Sequence, residues 1–410
     1  MRIEKLRNYS SILIAGYGKE GEATEQFLKK FVPDAKITIT DQKDGENYLD
    51  KQFDFDLVIK HQAIPKELIK QRYTTAANIF FANVQNMKIG ITGTKGKSTT
   101  SSLIYDVMKT GGKKARLVGN IGKPMIAELL TEIASDVIFV IELSSYQLDD
   151  ILYSPHISVI VNLFPEHMNY HQTVQKYYDA KKRILAHVNV DDYFVYNPRF
   201  SELVAWANST YCKTVPYIQE LPFDISESRL IGEHNKENIR AAVTVGQILG
   251  IEEKAMQKAV VQFQPLRHRL QKVGEFKGIT FYDDAISTTP ESTIAAISSL
   301  KRIGTIFLGG LNRGYDFSEL IPCLKEYNIS NVVLFPESGK QIKELLDKEQ
   351  AYKPHLFETS DMKEAVAFGY EQTKPGDICL LSTASPSYSI WKNFEEKGDL
   401  FQKYVKELGV

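Results

Sequence analysis

The chain has 410 residues, which suits two to four domains of ordinary size and excludes a single small module. Hydrophobic residues make up 43% and charged residues 25%, so disorder is excluded as the main state. Because 50 basic and 51 acidic residues nearly cancel, no global field attracts nucleic acid or anionic lipid. Apolar runs are too short for a bilayer span or a signal sequence, and the three separated cysteines indicate neither a disulfide framework nor a zinc site. We therefore expect a cytoplasmic protein with no nucleic-acid or membrane partner. We also expect a monomer, although the sequence does not determine the oligomeric state.

Short β-branched runs alternate with glycine-containing loops and amphipathic helices, which is typical of parallel α/β sheets. The clearest runs are Ser11–Ala15, Met87–Thr92 and Gly278–Tyr282. Later apolar runs, at Val137–Ile141, Ile157–Leu163, Thr305–Leu308, Val332–Phe335 and Ile378–Leu381, continue the pattern. We predict a Rossmann-like domain over residues 1–88, a central P-loop ATPase domain with a mostly parallel sheet over 89–264, and a second Rossmann-like domain over 265–410.

The strongest motif is a glycine-rich loop between a predicted strand and a predicted helix. It consists of Gly93, Thr94, Lys95, Gly96, Lys97, Ser98 and Thr99. Backbone N–H groups in such a loop surround phosphate oxygens, Lys97 supplies a point charge, and Ser98 offers a hydroxyl to Mg²⁺. This loop has two residues between its glycines, whereas the usual P-loop has four. The motif predicts an ATP-binding site.

A second glycine pattern, Gly16-x-Gly18-x-x-Gly21, follows the first strand, and Asp41 ends the next one. The pattern resembles a dinucleotide-binding fingerprint, although it also suits a tight turn with close helix packing. Any nucleotide diphosphate, and not NAD alone, fits such a loop. An NAD-dependent dehydrogenase is therefore an alternative, but it leaves the P-loop unexplained.

Two polar residues follow neighbouring apolar strands of the central domain. Glu142 ends the run Val137–Ile141, and His167 follows the run Ile157–Leu163. Parallel sheets bind ligands at the carboxyl ends of their strands, and glutamate is a hard oxygen ligand for Mg²⁺. Each residue also has a structural interpretation, as a paired acid or a packed histidine, but their pairing at adjacent strand ends favours a site.

Lys181 lies in a predicted helix over Val174–Val188, whose apolar stripe is Val174, Tyr178, Leu185 and Val188; the spacing of that stripe runs through position 181. We expect Lys181 to face inward, while Lys182 and Arg183 face outward. A desolvated lysine has a lowered pKa and can react with CO₂, and the resulting carbamate is an anion able to hold Mg²⁺. The alternative is a lysine that extends to the edge of the stripe.

Three further residues surround the predicted domain boundary near residue 265. Asn238 lies one turn into a helix that opens at His234, where it is available for a base or a ribose. Arg269 precedes a strand of the third domain, and Asp284 follows the next strand.

Taken together, these residues resemble the Mur ligase family over nearly the whole chain. The motifs that carry the resemblance are Gly93–Thr99, Gly119–Pro124, Glu142–Leu148, His167, Tyr178–Ile184, His234–Asn238, Arg267–Arg269, Asp284 and Lys392–Glu395. Within the family, they most resemble the members that join glutamate to UDP-N-acetylmuramoyl-L-alanine. The resemblance implies a ligase that uses ATP and Mg²⁺, with two metal ions, and forms an acyl phosphate before the amide.

The resemblance also implies a role for each site residue. The UDP of the substrate would lie near Lys19, Glu20 and Asp41, and the muramoyl group near Asn120. ATP would be bound by residues 93–99 together with Asn238, Arg269 and Asp284. Mg²⁺ would be bound by Ser98, Glu142, His167 and carbamylated Lys181. The incoming amino acid would contact Thr288, Arg313, Ser387, Tyr388 and Phe394.

Three departures from the family pattern keep alternatives open. Ile286 and Arg313 stand where the resembled members usually have lysines, so L-glutamate is an alternative to D-glutamate. Lys60–Pro65 replaces a Ser-Pro-Gly loop, which leaves the uridine contacts there open. Folylpolyglutamate synthase, a relative with similar chemistry, is a further alternative. It is disfavoured because it normally lacks a domain ahead of the P-loop, whereas residues 1–88 are predicted to form one here.

Overall fold

The computed structural model describes residues 1–409, and for Asn169 it describes the backbone alone. The described chain divides into two compact units, residues 1–228 with 234–263, and residues 229–233 with 264–409. Three β-sheets lie in this part of the chain, two in the first unit and one in the second. The α/β class is thus confirmed, while the domain boundaries near residues 88 and 265 stay predictions.

The first sheet is four-stranded and parallel. Its elements are α1 (Ile3–Leu6), β1 (Ser11–Ala15), α2 (Lys19–Phe31), β2 (Lys36–Thr40), β3 (Leu57–Lys60), β4 (Tyr73–Thr74) and α3 (Ala76–Asn83). The strand order is β2-β1-β3-β4. Alternate strand residues such as Ile12 and Ile14 pack against Phe27 of α2, whereas Leu13 joins a second cluster on the other face. The sheet is therefore covered on both faces, as parallel sheets usually are.

The second sheet is six-stranded and parallel, and it holds the P-loop. Its elements are β5 (Lys88–Thr92), α4 (Lys97–Thr110), β6 (Ala115–Gly119), β7 (Ile138–Glu142), α5 (Ser145–Leu148), β8 (Ile157–Ile160), α6 (Met168–His171), α7 (Val174–Lys182), β9 (Tyr193–Tyr196), α8 (Ser201–Ser209), β10 (Lys213–Pro216), α9 (Glu233–Ile248) and α10 (Glu253–Gln262). The strand order is β10-β9-β8-β5-β7-β6. Because β5 lies between β7 and β8, the carboxyl ends of three strands meet beside the glycine-rich loop.

The third sheet is six-stranded and mixed. Its elements are β11 (Gln271–Phe276), β12 (Ile279–Asp283), α11 (Pro290–Ser299), β13 (Ile303–Gly309), α12 (Leu320–Glu326), β14 (Asn331–Phe335), α13 (Ser338–Lys348), β15 (His355–Glu358), α14 (Met362–Gln372), β16 (Ile378–Leu381) and α15 (Phe394–Gly409). The strand order is β11-β12-β16-β13-β14-β15. Strand β11 pairs antiparallel with β12, so this sheet is mixed at its edge, whereas the alternating sequence pattern predicted parallel sheets. The short connection between the two strands allows a hairpin but no crossover helix.

All three cysteines of the sequence are buried and unpaired, at positions Cys212, Cys323 and Cys379. This agrees with the prediction that they form no disulfide framework. Within residues 1–409, no helix combines the length and the apolar character needed to cross a bilayer.

Candidate active site

The glycine-rich loop connects β5 to α4, and α4 begins at Lys97. The Lys97 ammonium donates to the backbone carbonyl oxygens of Gly93, at 3.1 Å, and Thr94, at 2.8 Å. The side chain therefore curls back over the loop, where its charge faces the helix N-terminus. A helix N-terminus and a lysine together form an anion-binding arrangement suited to phosphate.

Hydrogen bonds connect the loop to the segment after β8, and they involve residues that the sequence analysis did not identify. The Asn162 side-chain oxygen accepts the backbone N–H groups of Thr94, at 3.0 Å, and Lys95, at 2.9 Å. The Thr94 hydroxyl donates to the Phe164 carbonyl at 3.0 Å and accepts from the Tyr177 hydroxyl at 3.1 Å. Asn162 follows an apolar strand just as Glu142 does, and this position is the signal that could have identified it.

Asn238 of α9, a predicted ATP ligand, lies against the same loop. Its side-chain oxygen accepts from the Thr100 hydroxyl at 3.1 Å, and its amide donates to Asn235 at 3.0 Å. Gly96 has a φ of +77°, and a Cβ added there would lie 2.5 Å from that Asn238 oxygen. The loop and α9 are therefore in direct contact.

Lys181 is fully buried, which confirms the predicted inward orientation. Its ammonium nitrogen lies 2.7 Å from the Gly93 carbonyl oxygen and 4.7 Å from the centre of the Tyr177 ring. Burial, and secondarily the charge of Lys97, hold the Lys181 pKa well below its usual value, although Glu166 and Glu142 oppose the shift. A neutral amine at this position is available for reaction with CO₂.

The predicted apolar stripe of this helix is partly wrong. Val174 is exposed, whereas Tyr177, Ala180 and Ile184 are buried beside Lys181. The helix ends at Lys182 and continues as one 3₁₀ turn to Leu185, so helical spacing does not extend to Val188. Lys182 is exposed as predicted, but Arg183 is half-buried.

Glu142 ends β7 and is 1% exposed. One carboxylate oxygen accepts from the Asn120 amide at 2.9 Å, and the other is buried without a hydrogen-bond partner. An unpartnered carboxylate oxygen in the interior is costly unless a cation or a donor reaches it. Asn120, the predicted muramoyl contact, thus lies beside the predicted metal ligand.

His167 lies at the start of α6 with a left-handed backbone, at a φ of 61°. Its ring centre is 5.1 Å from that of Tyr146 and 6.0 Å from that of Tyr177. Burial lowers the His167 pKa to about 4, and neighbouring lysines add to this despite the opposing charge of Glu166. The imidazole is therefore neutral near pH 7, which is the form that binds metal. Glu166, which sequence reasoning missed, forms an ion pair with Lys95.

Glu142, His167 and Lys181 suit a magnesium ion only if Lys181 carries a carbamate. Within residues 1–409, no three His, Cys, Asp or Glu side chains converge as a metal site. Glu142 offers an unpartnered carboxylate oxygen and His167 a neutral ring, so the third anionic donor would be the Lys181 carbamate. Hard oxygen donors are the ligands that Mg²⁺ prefers.

The residues predicted to bind UDP lie beside the carboxyl ends of β1 and β2. Lys19 is exposed at the start of α2, and burial raises the pKa of half-buried Glu20 to about 7. The Asp41 carboxylate accepts the backbone N–H of Tyr17 at 2.7 Å and of Lys43 at 3.2 Å, and both bonds lower its pKa. Asp41 thus holds the Tyr17 amide of the Gly16–Gly21 loop.

A buried ion pair lies close to these residues and was not predicted. Lys60, the last residue of β3, contacts Asp150 at 2.6 Å, and both side chains are almost fully buried. The Lys60 ammonium also donates to the Ile64 carbonyl at 2.7 Å. Lys60 therefore has a structural pairing in the loop that departs from the family pattern.

In the second unit, Arg269 is half-buried and Asp284 is buried. The Asp284 carboxylate accepts from the Leu270 backbone N–H at 3.0 Å and from the Ser382 hydroxyl at 2.8 Å. Burial raises the Asp284 pKa to about 7. Both carboxylate oxygens already have partners within the unit, which makes Asp284 a connector of two loops whatever its role towards ATP.

The residues predicted to bind the amino acid follow the carboxyl ends of β12, β13 and β16 or lie at the start of α15. The Arg313 guanidinium lies 5.8 Å from the centre of the exposed Tyr388 ring. Ser387 is 2% exposed, and its hydroxyl is buried without a partner. Half-buried Thr288 follows β12, and half-buried Phe394 begins α15, with its ring 6.2 Å from His268.

These features define a P-loop nucleotide-binding α/β protein with a separate mixed-sheet unit. Family models match residues 91–221, as the Mur ligase middle domain, and residues 268–384, as the Mur ligase glutamate ligase domain. The chain belongs to the Mur ligase family, whose members are ATP-dependent amide-forming ligases. This confirms the resemblance and excludes the dehydrogenase alternative.

Relatives and solved structures agree over nearly the full length. The UDP-N-acetylmuramoylalanine–D-glutamate ligase of Oenococcus oeni is 32% identical, covering 97% of this chain and 98% of its own. The protein of that name from Streptococcus sanguinis is 31% identical, over 99% and 100%. The fold is also similar to Thermotoga maritima MurF in complex with ADP, with a TM-score of 0.64, 15% identity, and 97% and 95% coverage. Thermotoga maritima MurC gives a TM-score of 0.62, 17% identity, and 98% and 100% coverage.

Proposed function

We propose that this chain joins D-glutamate to UDP-N-acetylmuramoyl-L-alanine and converts ATP to ADP and phosphate in doing so. The observation that carries the proposal is the shared Gly93 carbonyl, which accepts from both the P-loop Lys97 and the buried Lys181. This contact brings a phosphate-binding charge and a reactive amine to one strand end. The relatives named for this reaction support D-glutamate over the L-glutamate alternative.

The reaction has two steps. A carboxylate oxygen of the muramoyl substrate attacks the terminal phosphorus of ATP, and ADP leaves, which forms an acyl phosphate. The glutamate amine then attacks the acyl carbon, phosphate leaves, and the amine loses a proton. Activation is needed because a free carboxylate is a poor electrophile.

Lys97 supplies positive charge where two anions approach, and the N-terminus of α4 orients the phosphates. Two Mg²⁺ ions, held by Ser98, Glu142, His167 and the Lys181 carbamate, would neutralise phosphate charge when bound. The remaining ATP ligands are proposed to be Gly93–Gly96, Thr99, Asn238, Arg269 and Asp284.

The other substrates are assigned by the same proposal. The UDP group contacts Lys19, Glu20 and Asp41, and the muramoyl group contacts Asn120. Glutamate contacts Thr288, Arg313, Ser387, Tyr388 and Phe394. Arg313 is suited to a carboxylate because its guanidinium can donate in a forked geometry. We propose a cytoplasmic location, as expected for a chain whose cysteines are free thiols. We also propose that the enzyme acts as a monomer.

The decisive experiment measures phosphate release with ATP, Mg²⁺ and UDP-N-acetylmuramoyl-L-alanine, with D- or L-glutamate as the amine. We expect release with D-glutamate and a product one glutamyl residue heavier by mass spectrometry. Release with L-glutamate alone would overturn the assigned enantiomer. Release with neither would overturn the assigned substrates.

A further inference from the structure

A buried lysine in the second unit has no place in the proposed reaction. Lys397 of α15 is fully buried, and its ammonium donates to the Thr383 hydroxyl at 2.5 Å. The ammonium also lies 5.8 Å from the centre of the Trp391 ring. An ammonium has three donors, and this is its one hydrogen bond to a side chain or backbone group within residues 1–409.

The acidic residues nearest to Lys397 are engaged elsewhere. Asp283 accepts from His268, at 2.7 Å, and from Gln402, at 2.8 Å. Asp284 is held by Leu270 and Ser382, as described above. No ion pair joins Lys397 to a carboxylate within residues 1–409, so its charge is only partly compensated inside the unit. A buried cation in this condition favours the arrival of an anion.

Thr383 connects Lys397 to the loop that follows β16. Because the Thr383 hydroxyl accepts from Lys397, its own proton is directed at the Ser385 carbonyl, at 3.0 Å. The same loop continues to Ser387, whose buried hydroxyl has no partner, and to Tyr388. Two independent features, an under-compensated cation and an unpartnered hydroxyl, therefore meet in one loop that is proposed to bind glutamate.

We propose that Lys397 is a positioning residue of the amino-acid site: its ammonium fixes the Ser382–Tyr388 loop through Thr383, and glutamate binding requires Lys397 to be protonated. This inference rests on the proposed function, because it names what controls the glutamate part of that site. Lys397 acts through Thr383 and is not a catalytic residue.

Electrostatics supports the dependence on protonation. Burial lowers the Lys397 pKa to about 7, and the charges of Asp283 and Asp284 oppose that shift. The titratable groups that surround it are Asp283 and Asp284 at the end of β12, and His268, which is paired with Asp283. A bound glutamate carboxylate would stabilise the cation and so raise the Lys397 pKa. By linkage, protonation tightens glutamate binding by the same factor.

Trp391 offers a direct readout. The chain has two tryptophans, and Trp206 lies in the first unit, so Trp206→Phe leaves Trp391 as the single reporter. Its fluorescence is titrated from pH 5.5 to 9 with ADP and UDP-N-acetylmuramoyl-L-alanine present, with and without D-glutamate, at matched ionic strength. We expect a transition near pH 7 that moves upward with glutamate and disappears in Lys397→Met.

Kinetics provide the second readout. We expect Lys397→Met to raise the KM for glutamate about tenfold, with the KM values for ATP and the muramoyl substrate and kcat changed less than about twofold. Lys397→Arg should restore a low KM that no longer depends on pH between 6 and 9, because arginine stays charged. The matched control is Lys403→Met on the same helix, whose ammonium is exposed beside Glu407.

Each outcome decides the inference. A Trp391 transition that glutamate leaves unmoved, or an unchanged glutamate KM in Lys397→Met, overturns it. If Lys397→Met fails to fold, Thr383→Val compared with Thr383→Ser replaces it, and only the valine variant should raise the glutamate KM. A wild-type protein that releases no phosphate overturns the proposed function, and the Trp391 titration then decides the role of Lys397 by itself.

Discussion

At the residue scale, Lys97 is proposed to supply the charge that faces the transferring phosphoryl group. Its contacts to the Gly93 and Thr94 carbonyls hold it over the loop without burying it against apolar groups. We therefore expect Lys97→Ala to lower kcat by about 10²–10³ while the melting curve stays unchanged. Phosphate-release kinetics measure the loss, and exposed Lys109→Ala on the same helix is the control. Near-normal turnover of a well-folded Lys97→Ala would contradict the P-loop assignment.

Lys181 is expected to carry a carbamate, since a buried ammonium beside a magnesium ion would be repelled and desolvated. The amine adds to the carbon of CO₂ and releases one proton, and the sign of the group is thereby reversed. Removal of CO₂ should lower wild-type activity reversibly, and bicarbonate should restore it. Lys181→Ala should lose most activity, with partial recovery in acetate.

The control for this experiment is Lys182→Ala, which removes the exposed neighbour. It should keep wild-type activity and the same response to CO₂. Full activity of Lys181→Ala, or a crystal structure with bound Mg²⁺ that shows a bare amine at Lys181, would count against carbamylation.

His167 gives a pH dependence whose sign follows from its lowered pKa. The ring titrates near 6.5 when unfolded and near 4 when folded, so the unfolded chain binds the extra proton between these values. The free energy of unfolding should therefore fall as the pH decreases from about 6.5 to 4. His167→Asn should show a shallower decline in urea midpoints over this window, because asparagine tolerates the left-handed backbone and does not titrate. Equal slopes for the two proteins would contradict the buried, neutral ring.

The sequence allowed prediction of those site residues whose positions do not fit the pattern of a solvent-exposed segment. Lys181 was predicted because it interrupts an apolar stripe, and Glu142 because it ends an apolar strand. Lys60 and Lys397 were missed because each lies beside charged or polar neighbours, Lys60-His61-Gln62 and Glu395-Glu396-Lys397, which look like solvated surface. Their burial depends on partners distant in sequence, and no local pattern reveals these.

At the scale of elements, substitutions at glycines beside α4 can show how closely α9 approaches the loop that precedes α4. Gly96 and Gly112 flank α4 with nearly equal φ values, +77° and +76°, but an added Cβ meets Asn238 at Gly96 and no atom within 4 Å at Gly112. Alanine at either position should cost about 1–2 kcal/mol of stability through backbone strain. Only Gly96→Ala should also weaken ATP binding, measured by calorimetry. Equal ATP affinities in the two variants would contradict the contact with Asn238.

Elements were predicted best where a strand is apolar throughout. Ser11–Ala15 and Ile378–Leu381 match β1 and β16 to the residue, because buried parallel strands have continuous apolar sequences. The run Ile157–Leu163 was predicted too long, since β8 ends at Ile160 although Val161 and Leu163 beyond it are also apolar. Strand β11 was missed because its residues are mostly half-exposed at a sheet edge and carry a polar sequence.

At the scale of the whole molecule, the first two sheets share one compact unit, and the buried Lys60–Asp150 pair connects them. Lys60→Met leaves Asp150 buried without its partner, so we expect a loss of about 3–5 kcal/mol in the free energy of unfolding. Lys66→Met is the matched control, because Lys66 pairs with Asp149 at 2.8 Å but remains about one-third exposed. Its expected loss is about 0–1 kcal/mol.

Hydrogen exchange locates the effect of Lys60→Met. Amide protection should decrease together in β1–β4 and in β5–β8, because the two sheets open as one cooperative unit. Loss of protection confined to β1–β4 would show that the sheets unfold separately.

The three buried thiols have a practical consequence for chemical labelling. Burial raises the pKa of Cys323 to about 11 and moves the Cys379 pKa upward as well, so these thiols carry little of the thiolate that reacts with maleimides. Cys212 is shielded by burial as well, so a cysteine introduced at exposed Val190 would react far faster than the native ones. One dye could then be attached to the folded protein without first removing any natural cysteine.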